Sequence, residues 1–462
     1  MSDVLLTHGY FLFEDEKEIQ IMKPYATLGI LYVSAWLRRA GFDVEVFDAT
    51  FASREDLFRR LAEKSAGVLG IYTNLTTRAA VLDIVGRAAS LGWIVVLGGP
   101  ESANYPAEYL SRGAHAVVVG EGEETMGELL SVLPARGPHR LHGVRGVVFR
   151  DESGAVVTNA ERPQIENLDS IPRPDRGQID QQRYVEVWRR HHGSGSVNLI
   201  TARGCPYKCN WCSHAVFGFS HRRRSYKDCA DELEFIQGTY HPDQVWYADD
   251  VFTIHHGWLF SYSAELKRRG IRIPFETISR ADRMMNEDVI STLAEMGCSR
   301  IWIGSESGSQ RILDAMERGV KVEQVEWASR MARRHGIEVG MFLMWGYDGE
   351  TVEDMEATVE LVKKCEPEQF LTTVSYPIKN TTYFQKVSDL VVLKQPWDRG
   401  TDRDYAIRSR HSRMYYKHAD RWLRSEVAAH RLGASDAVGA ARLWAEAAAA
   451  REAMLAESGV EA

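Results

Sequence analysis

The stretch Arg203-Gly204-Cys205-Pro206-Tyr207-Lys208-Cys209-Asn210-Trp211-Cys212 follows an apolar run, Val197-Asn198-Leu199-Ile200, that reads as a strand. Its cysteines are separated by three and then two residues, so all three can converge on one centre. Thiolates favour a soft metal centre over calcium or magnesium. A structural zinc site usually takes four protein ligands, and the nearest further cysteine, Cys229, falls in a helical pattern with Glu232, Leu233 and Ile236. Three thiolates on an iron-sulfur cube instead leave one iron open to a substrate or cosubstrate. Cys229, Cys298 and Cys365 read as packed or free thiols.

Toward the C-terminus, apolar runs alternate with helical patterns such as Leu293 with Met296 and Val359 with Val362. Gln244 to Ala248 ends at Asp249-Asp250, Pro274 to Thr277 leads to Arg280, and Ile301 to Ile303 opens onto Gly304-Ser305-Glu306-Ser307-Gly308. Val339 to Met344 runs to Gly346, and Phe370 to Val374 to Tyr376-Pro377. With the cysteine strand these predict a partial (β/α)6 barrel whose strand ends share one mouth.

The CxxxCxxC spacing, with an aromatic residue just before the last cysteine, resembles the signature of the radical S-adenosylmethionine (SAM) enzymes. The resemblance implies a 4Fe-4S cluster ligated by Cys205, Cys209 and Cys212, whose open iron chelates SAM and yields a 5'-deoxyadenosyl radical. Asp250, Arg280, Glu306 and the backbone beside Trp211 are placed like that family's SAM-binding residues. Asp250 would accept from the SAM amine, Arg280 would pair with its carboxylate as a fork, Glu306 would accept from ribose or amine, and Trp211 would lie beside adenine. Asp249 reads as the more structural of the adjacent pair. For each residue alone, a structural ion pair is the competing reading.

In the first half, Val4-Leu5-Leu6, Val44 to Phe47, Val68 to Ile71, Ile94 to Leu97 and Ala116 to Val119 alternate with helical patterns. This predicts a doubly wound parallel sheet ending near residue 150. Ligands sit beyond the carboxyl ends of such strands, which points to Tyr72-Thr73-Asn74, Gly99-Pro100-Glu101 and Gly120-Glu121-Gly122. Tight turns without a ligand are the competing reading. A dinucleotide fingerprint fails, because Thr125 stands where a third glycine belongs and the stretch follows the fifth strand.

Met22-Lys23-Pro24 through Leu28-Gly29, with the Gly99 and Gly120 turns, resembles the cobalamin-binding domain found ahead of radical SAM domains. No Asp-x-His-x-x-Gly is present to supply the usual lower axial histidine; by analogy Tyr72, Asn74 or Leu75 would face that side of the corrin. The expected organisation is a cobalamin-binding Rossmann-like domain at 1–150, a surface linker at 151–195, the radical SAM barrel at 196–385 and a helical region at 386–462.

The length of 462 residues suits about three domains. Hydrophobic residues at 44% and charged residues at 26% exclude wholesale disorder. A formal charge of −8 argues against a general nucleic-acid binder and for a small-molecule substrate. The absence of a membrane-length apolar run and of a basic start predicts a cytoplasmic protein with no membrane partner. His221-Arg222-Arg223-Arg224 reads as solvated or ion-paired, and the basic-aromatic residues of 403–431 as an amphipathic helix rather than a nucleic-acid surface.

By resemblance, the expected function is methylation of an unactivated carbon, one SAM methylating cobalamin and a second giving the radical. Cobalamin, SAM and the cluster are the implied cofactors, and a flavodoxin or ferredoxin the implied electron donor. A cyclase, ring-contracting or oxidising reaction is the alternative, and a cobalamin or electron carrier a third reading. Methylthiolation is disfavoured because no cysteine precedes Cys205 to hold a second cluster.

Overall fold

The computed structural model describes residues 4–433, 435–457 and 459. The chain divides into two compact units. The first comprises Met1–Pro206, Ser213–Val245 and Gln395–Thr401; the second comprises Tyr207–Cys212, Trp246–Lys394 and Asp402–Ala462.

The first unit is built on a seven-stranded sheet. Its strands are β1 (Val4–His8), β2 (Val44–Val46), β3 (Val68–Tyr72), β4 (Ile94–Gly98), β5 (Ala116–Val118), β6 (Val147–Arg150) and β7 (Val156–Thr158), in the order β2-β1-β3-β4-β5-β6-β7. The first five pair in parallel, whereas β6 and β7 extend the sheet antiparallel. Every residue of β1 is buried, as expected of a parallel strand covered on both faces. Val4 and Leu6 join one apolar cluster with Leu31 and Leu129, while Leu5 joins another with Leu69 and Ile84, following the two-residue period of a strand. Each fully buried side chain of this kind contributes roughly 1.5–3 kcal/mol.

Two stretches differ from the sequence expectation. Residues 151–195 are built into the first unit rather than lying over its surface. Ile165, Leu168, Ile171 and Tyr184 enter its core, and the Trp188 indole donates to Pro24 O at 2.7 Å. Residues 395–401 also belong to this unit: the buried Arg78 donates to Trp397 O and Gly400 O at 3.2 and 3.0 Å, and its guanidinium lies over the Trp397 ring. In 151–195 the helix Gln181–His192 carries a buried apolar stripe of Tyr184, Val185 and Trp188 that the linker reading passes over, whereas 395–401 is too short to show a periodic pattern.

A second sheet has six strands: β8 (Ser196–Leu199), β11 (Gln244–Tyr247), β12 (Phe275–Ser279), β13 (Cys298–Glu306), β14 (Glu338–Trp345) and β15 (Gln369–Val374), in the order β15-β14-β13-β12-β11-β8. A short antiparallel pair, β9 (Ala202–Arg203) with β10 (Arg222–Arg223), flanks the cysteine loop. The expected six-stranded architecture is present. Another antiparallel pair, β16 (Val391–Leu393) with β17 (Tyr405–Ile407), replaces part of the expected helical tail. Helices Arg413–Leu432 and Ala437–Ala456 follow. The first buries Tyr415, Ala419, Trp422 and Leu423 and exposes Arg413, Arg421 and Arg424, the amphipathic helix its sequence predicts. Among the described residues no helix is long and apolar enough to cross a membrane.

Candidate functional site

In the second unit, Asn210 pins the cysteine loop. Its backbone N–H donates to Met316 O at 3.2 Å, its side-chain N–H to Ala315 O at 2.8 Å, and its Oδ1 accepts from the Tyr347 hydroxyl at 2.7 Å. Trp211 packs on Ile312, Met316, Met344 and Tyr383, so the residue before the last cysteine anchors the loop through apolar contact. Cys209 is buried and Cys212 exposed; Cys205, half-buried, lies in the first unit. Gly204 precedes Cys205 with φ +82°, and a Cβ there would collide with Ser220 O, so only glycine suits the entry to the loop. Cys229, Cys298 and Cys365 are packed in the interior, and burial pushes the Cys365 thiol up to about 11.

Two arginines donate to Cys209. Arg280 Nη1 lies 3.8 Å and Arg318 Nη1 3.7 Å from its Sγ. The Arg280 fork was expected to face a SAM carboxylate, but each of its nitrogens already has an acceptor. Nε donates to Asp282 at 2.9 Å, Nη2 to Arg318 O at 2.8 Å, and the guanidinium stacks 3.5 Å over the Tyr207 ring. Tertiary packing at the end of β12 supplies these partners, and no sequence motif announces them. Arg318, which no motif singles out, also donates to Gly304 O, while its buried Nε has no hydrogen-bond partner.

Glu306 ends β13, where the pairing with β14 shifts register, and it adopts φ +56°. Such a conformation in a non-glycine residue costs on the order of 1–3 kcal/mol and persists where the surroundings impose it. Its side chain, 13% exposed, lies 3.8 Å from Arg318 Nε. Burial raises its carboxyl above the usual range against the opposing charges of Arg318 and Arg280. After β11, Asp249 is buried and Asp250 exposed, consistent with the more structural role read for Asp249. Desolvation, and then the charge of Asp249, raises the Asp250 carboxyl.

In the first unit, an open cleft of about 250 Å³ lies at the carboxyl ends of β1 and β3. Tyr72 and Asn74 line it with His8, Tyr10, Lys23 and Tyr25. Burial raises the Tyr72 hydroxyl above its ordinary value. His8 Nε2 donates to Asp48 Oδ1 at 3.1 Å while its Nδ1 accepts from Tyr10 N–H, and the Tyr184 hydroxyl donates to both Asp48 oxygens.

Several turn residues face inward. Thr73 is fully buried and bonds Gly98 O and Ser102 Oγ, both at 2.9 Å. Gly99, at φ +102°, lies against Thr73 O and the Tyr72 ring; Pro100 begins the short helix Pro100–Asn104. The buried Glu101 pairs with Arg78. Gly120, at φ +89°, precedes Glu121, and Gly122 begins the helix Gly122–Arg136 against Val33. Glu121 accepts from Arg203 and Arg222, each at 2.7 Å, and from Ile165 N at 2.8 Å. Against the desolvation of burial, these bonds hold its carboxyl below the usual range. Arg222 and Arg224 are ion-paired, as expected of the basic cluster.

The donor set suits the implied groups. A buried thiol met by two guanidinium groups fits an anionic sulfur-rich centre. No group of three or more described His, Cys, Asp or Glu side chains already stands together as a metal site. The buried Glu306 carboxyl and the Asp250 carboxyl beside Asp249 fit a cationic ligand. The cleft beside Tyr72 and Asn74 lies where doubly wound sheets bind ligands.

Comparison with known proteins gives two successive family matches, the second of which begins at residue 199, within the first compact unit. Residues 21–130 match the B12 binding domain and residues 199–362 the radical SAM superfamily. An uncharacterized methyltransferase of Pyrococcus horikoshii is 28% identical over 395 residues, covering 83% of each chain. The anaerobic magnesium-protoporphyrin IX monomethyl ester cyclase of Rubrivivax gelatinosus is 26% identical over 372 residues, 78% of this chain and 66% of the other. The solved structure of TsrM from Kitasatospora setae, a radical S-adenosylmethionine methyltransferase with cobalamin and a 4Fe-4S cluster bound, has a TM-score of 0.70. It is 20% identical and covers 84% of this chain and 78% of that one.

Proposed function

We propose that this chain, a cobalamin-dependent radical SAM enzyme by its B12-binding domain at 21–130 and radical SAM domain at 199–362, methylates an unactivated carbon of a small molecule. The observation that carries the reading is the P. horikoshii relative, named a methyltransferase and aligned over 83% of both chains. When bound, the cluster and SAM supply a 5'-deoxyadenosyl radical and cobalamin carries the methyl group.

Within this reading Cys205, Cys209 and Cys212 hold the cluster. Asp250 and Glu306 receive the cationic SAM, with adenine beside Trp211. Arg280 acts mainly through Cys209. Tyr72 and Asn74 face the cobalamin, while Thr73, Glu101 and Glu121 brace the turns beneath it. A flavodoxin or ferredoxin supplies electrons, and the compartment is the cytoplasm. A second reading, cyclisation or oxidation without methyl transfer, is supported by the likeness to the R. gelatinosus cyclase.

The test is anaerobic reconstitution with iron, sulfide and cobalamin, reduction, and quantification of SAM products with candidate substrates. Comparable S-adenosylhomocysteine and 5'-deoxyadenosine are expected. Deoxyadenosine with product but no homocysteine species would replace methylation by the cyclase reading.

A further inference from the structure

We infer that Arg280 and Arg318 form a paired guanidinium clamp on Cys209 Sγ that raises the reduction potential of the cluster; the inference rests on the cluster reading above. Both Nη1 atoms lie within hydrogen-bonding range of the sulfur, at 3.8 and 3.7 Å, and both arginines are more than nine-tenths buried. The clamp is braced. Asp282, the Arg318 carbonyl and the Tyr207 ring fix Arg280, while Gly304 O holds Arg318 at 2.9 Å.

Adding one electron makes the cluster more negative. Cationic N–H donors to a ligating sulfur stabilise that state more than the oxidised one, and a dry surrounding strengthens the effect. The carboxylates nearby offset part of the charge. Asp282 pairs with Arg280, and Glu306 stands 3.8 Å from Arg318. The donor N–H groups themselves point at the sulfur. Arg318 Nε makes no hydrogen bond and is faced by the Glu306 carboxylate 3.8 Å away, which leaves Nη1 as the donor to the sulfur. Arg280 and Arg318 are therefore positioning residues, acting on the reaction through the population of reduced cluster.

The test uses the full chain, anaerobically reconstituted, with potentials measured by EPR-monitored titration without SAM, so that any role in SAM binding does not enter. Arg318→Gln and Arg280→Gln are each expected to make reduction at least tenfold less favourable, ~59 mV lower for a one-electron couple. Arg318→Lys, which keeps the charge and loses the fork, is expected to shift in the same direction by less. Unchanged potentials in Gln variants with wild-type iron content overturn the clamp. If a Gln variant takes up no iron, Arg318→Lys decides: a lower potential supports the clamp and an unchanged one overturns it. A wild-type chain that assembles no iron-sulfur signal refutes the underlying cluster reading instead.

Discussion

Glu121 Oε1 accepts a hydrogen bond from Arg203 Nη1 at 2.7 Å, joining the turn after β5 to the short strand that enters the cysteine loop. Both side chains are buried, and Arg222 and Ile165 N occupy the other carboxylate oxygen. Removing one partner leaves uncompensated buried charge. Glu121→Ala is expected to destabilise the chain by about 3–5 kcal/mol in chemical denaturation. Because the folded carboxyl is held below its ordinary value, its stabilisation is present above the unfolded pKa and disappears as pH falls through the folded one. The difference between wild type and Glu121→Ala should shrink in acid; a constant difference would argue against an ionised Glu121.

Iron content separates cluster thiols from packed ones. Cys209→Ala, Cys205→Ala and Cys212→Ala should each lose most reconstituted iron and the charge-transfer absorbance. Cys298→Ala and Cys365→Ala should retain both. Full iron in Cys209→Ala would remove that residue from the ligand set.

Asn210 acts on the loop rather than on metal. Asn210→Ala deletes the bonds to Tyr347 and Ala315, each worth about 0.5–1.5 kcal/mol, while the Tyr347 hydroxyl keeps its own bond to Ala315 O. The variant should assemble a cluster that a chelator strips several-fold faster than wild type, with an unchanged EPR line shape.

Gly99→Ala tests the turn after β4. Its φ of +102° and the crowding by Thr73 O and Tyr72 leave no room for a Cβ. The substitution should weaken cobalamin retention in equilibrium dialysis at least tenfold while leaving iron uptake intact. Undiminished cobalamin binding would detach this turn from the ligand.

Asp250 predicts a pH effect on SAM binding. Its carboxyl is raised by desolvation and by Asp249, so the anionic acceptor is lost at a higher pH than for an ordinary aspartate. SAM affinity measured by calorimetry should fall as pH drops through that raised pKa, and Asp250→Asn should bind about tenfold more weakly at neutral pH with a flatter profile. An identical profile in the variant would exclude this role.

Much of the architecture was legible because its signals are local. The apolar runs of β1 to β5 and of β11 to β15 lie between helical patterns, and CxxxCxxC places three thiols in one loop whatever the rest does. The antiparallel β6 and β7, the packing of 151–195 into the first unit and the recruitment of 395–401 were not legible. Trp397 packs against the core and Tyr184 enters it through partners far away in sequence.

The sequence by itself determined the two-domain order, the cofactor set it resembles and the candidate thiols, since each rests on spacing that survives any packing. The tertiary structure alone decided which charged residues are framework and which face a site. Glu101 and Glu121 are held by buried arginines, whereas Arg280 turns one of its nitrogens, Nη1, to Cys209. A charged side chain costs free energy to desolvate unless a partner meets it, and that partner is supplied by the fold, often from a distant part of the chain.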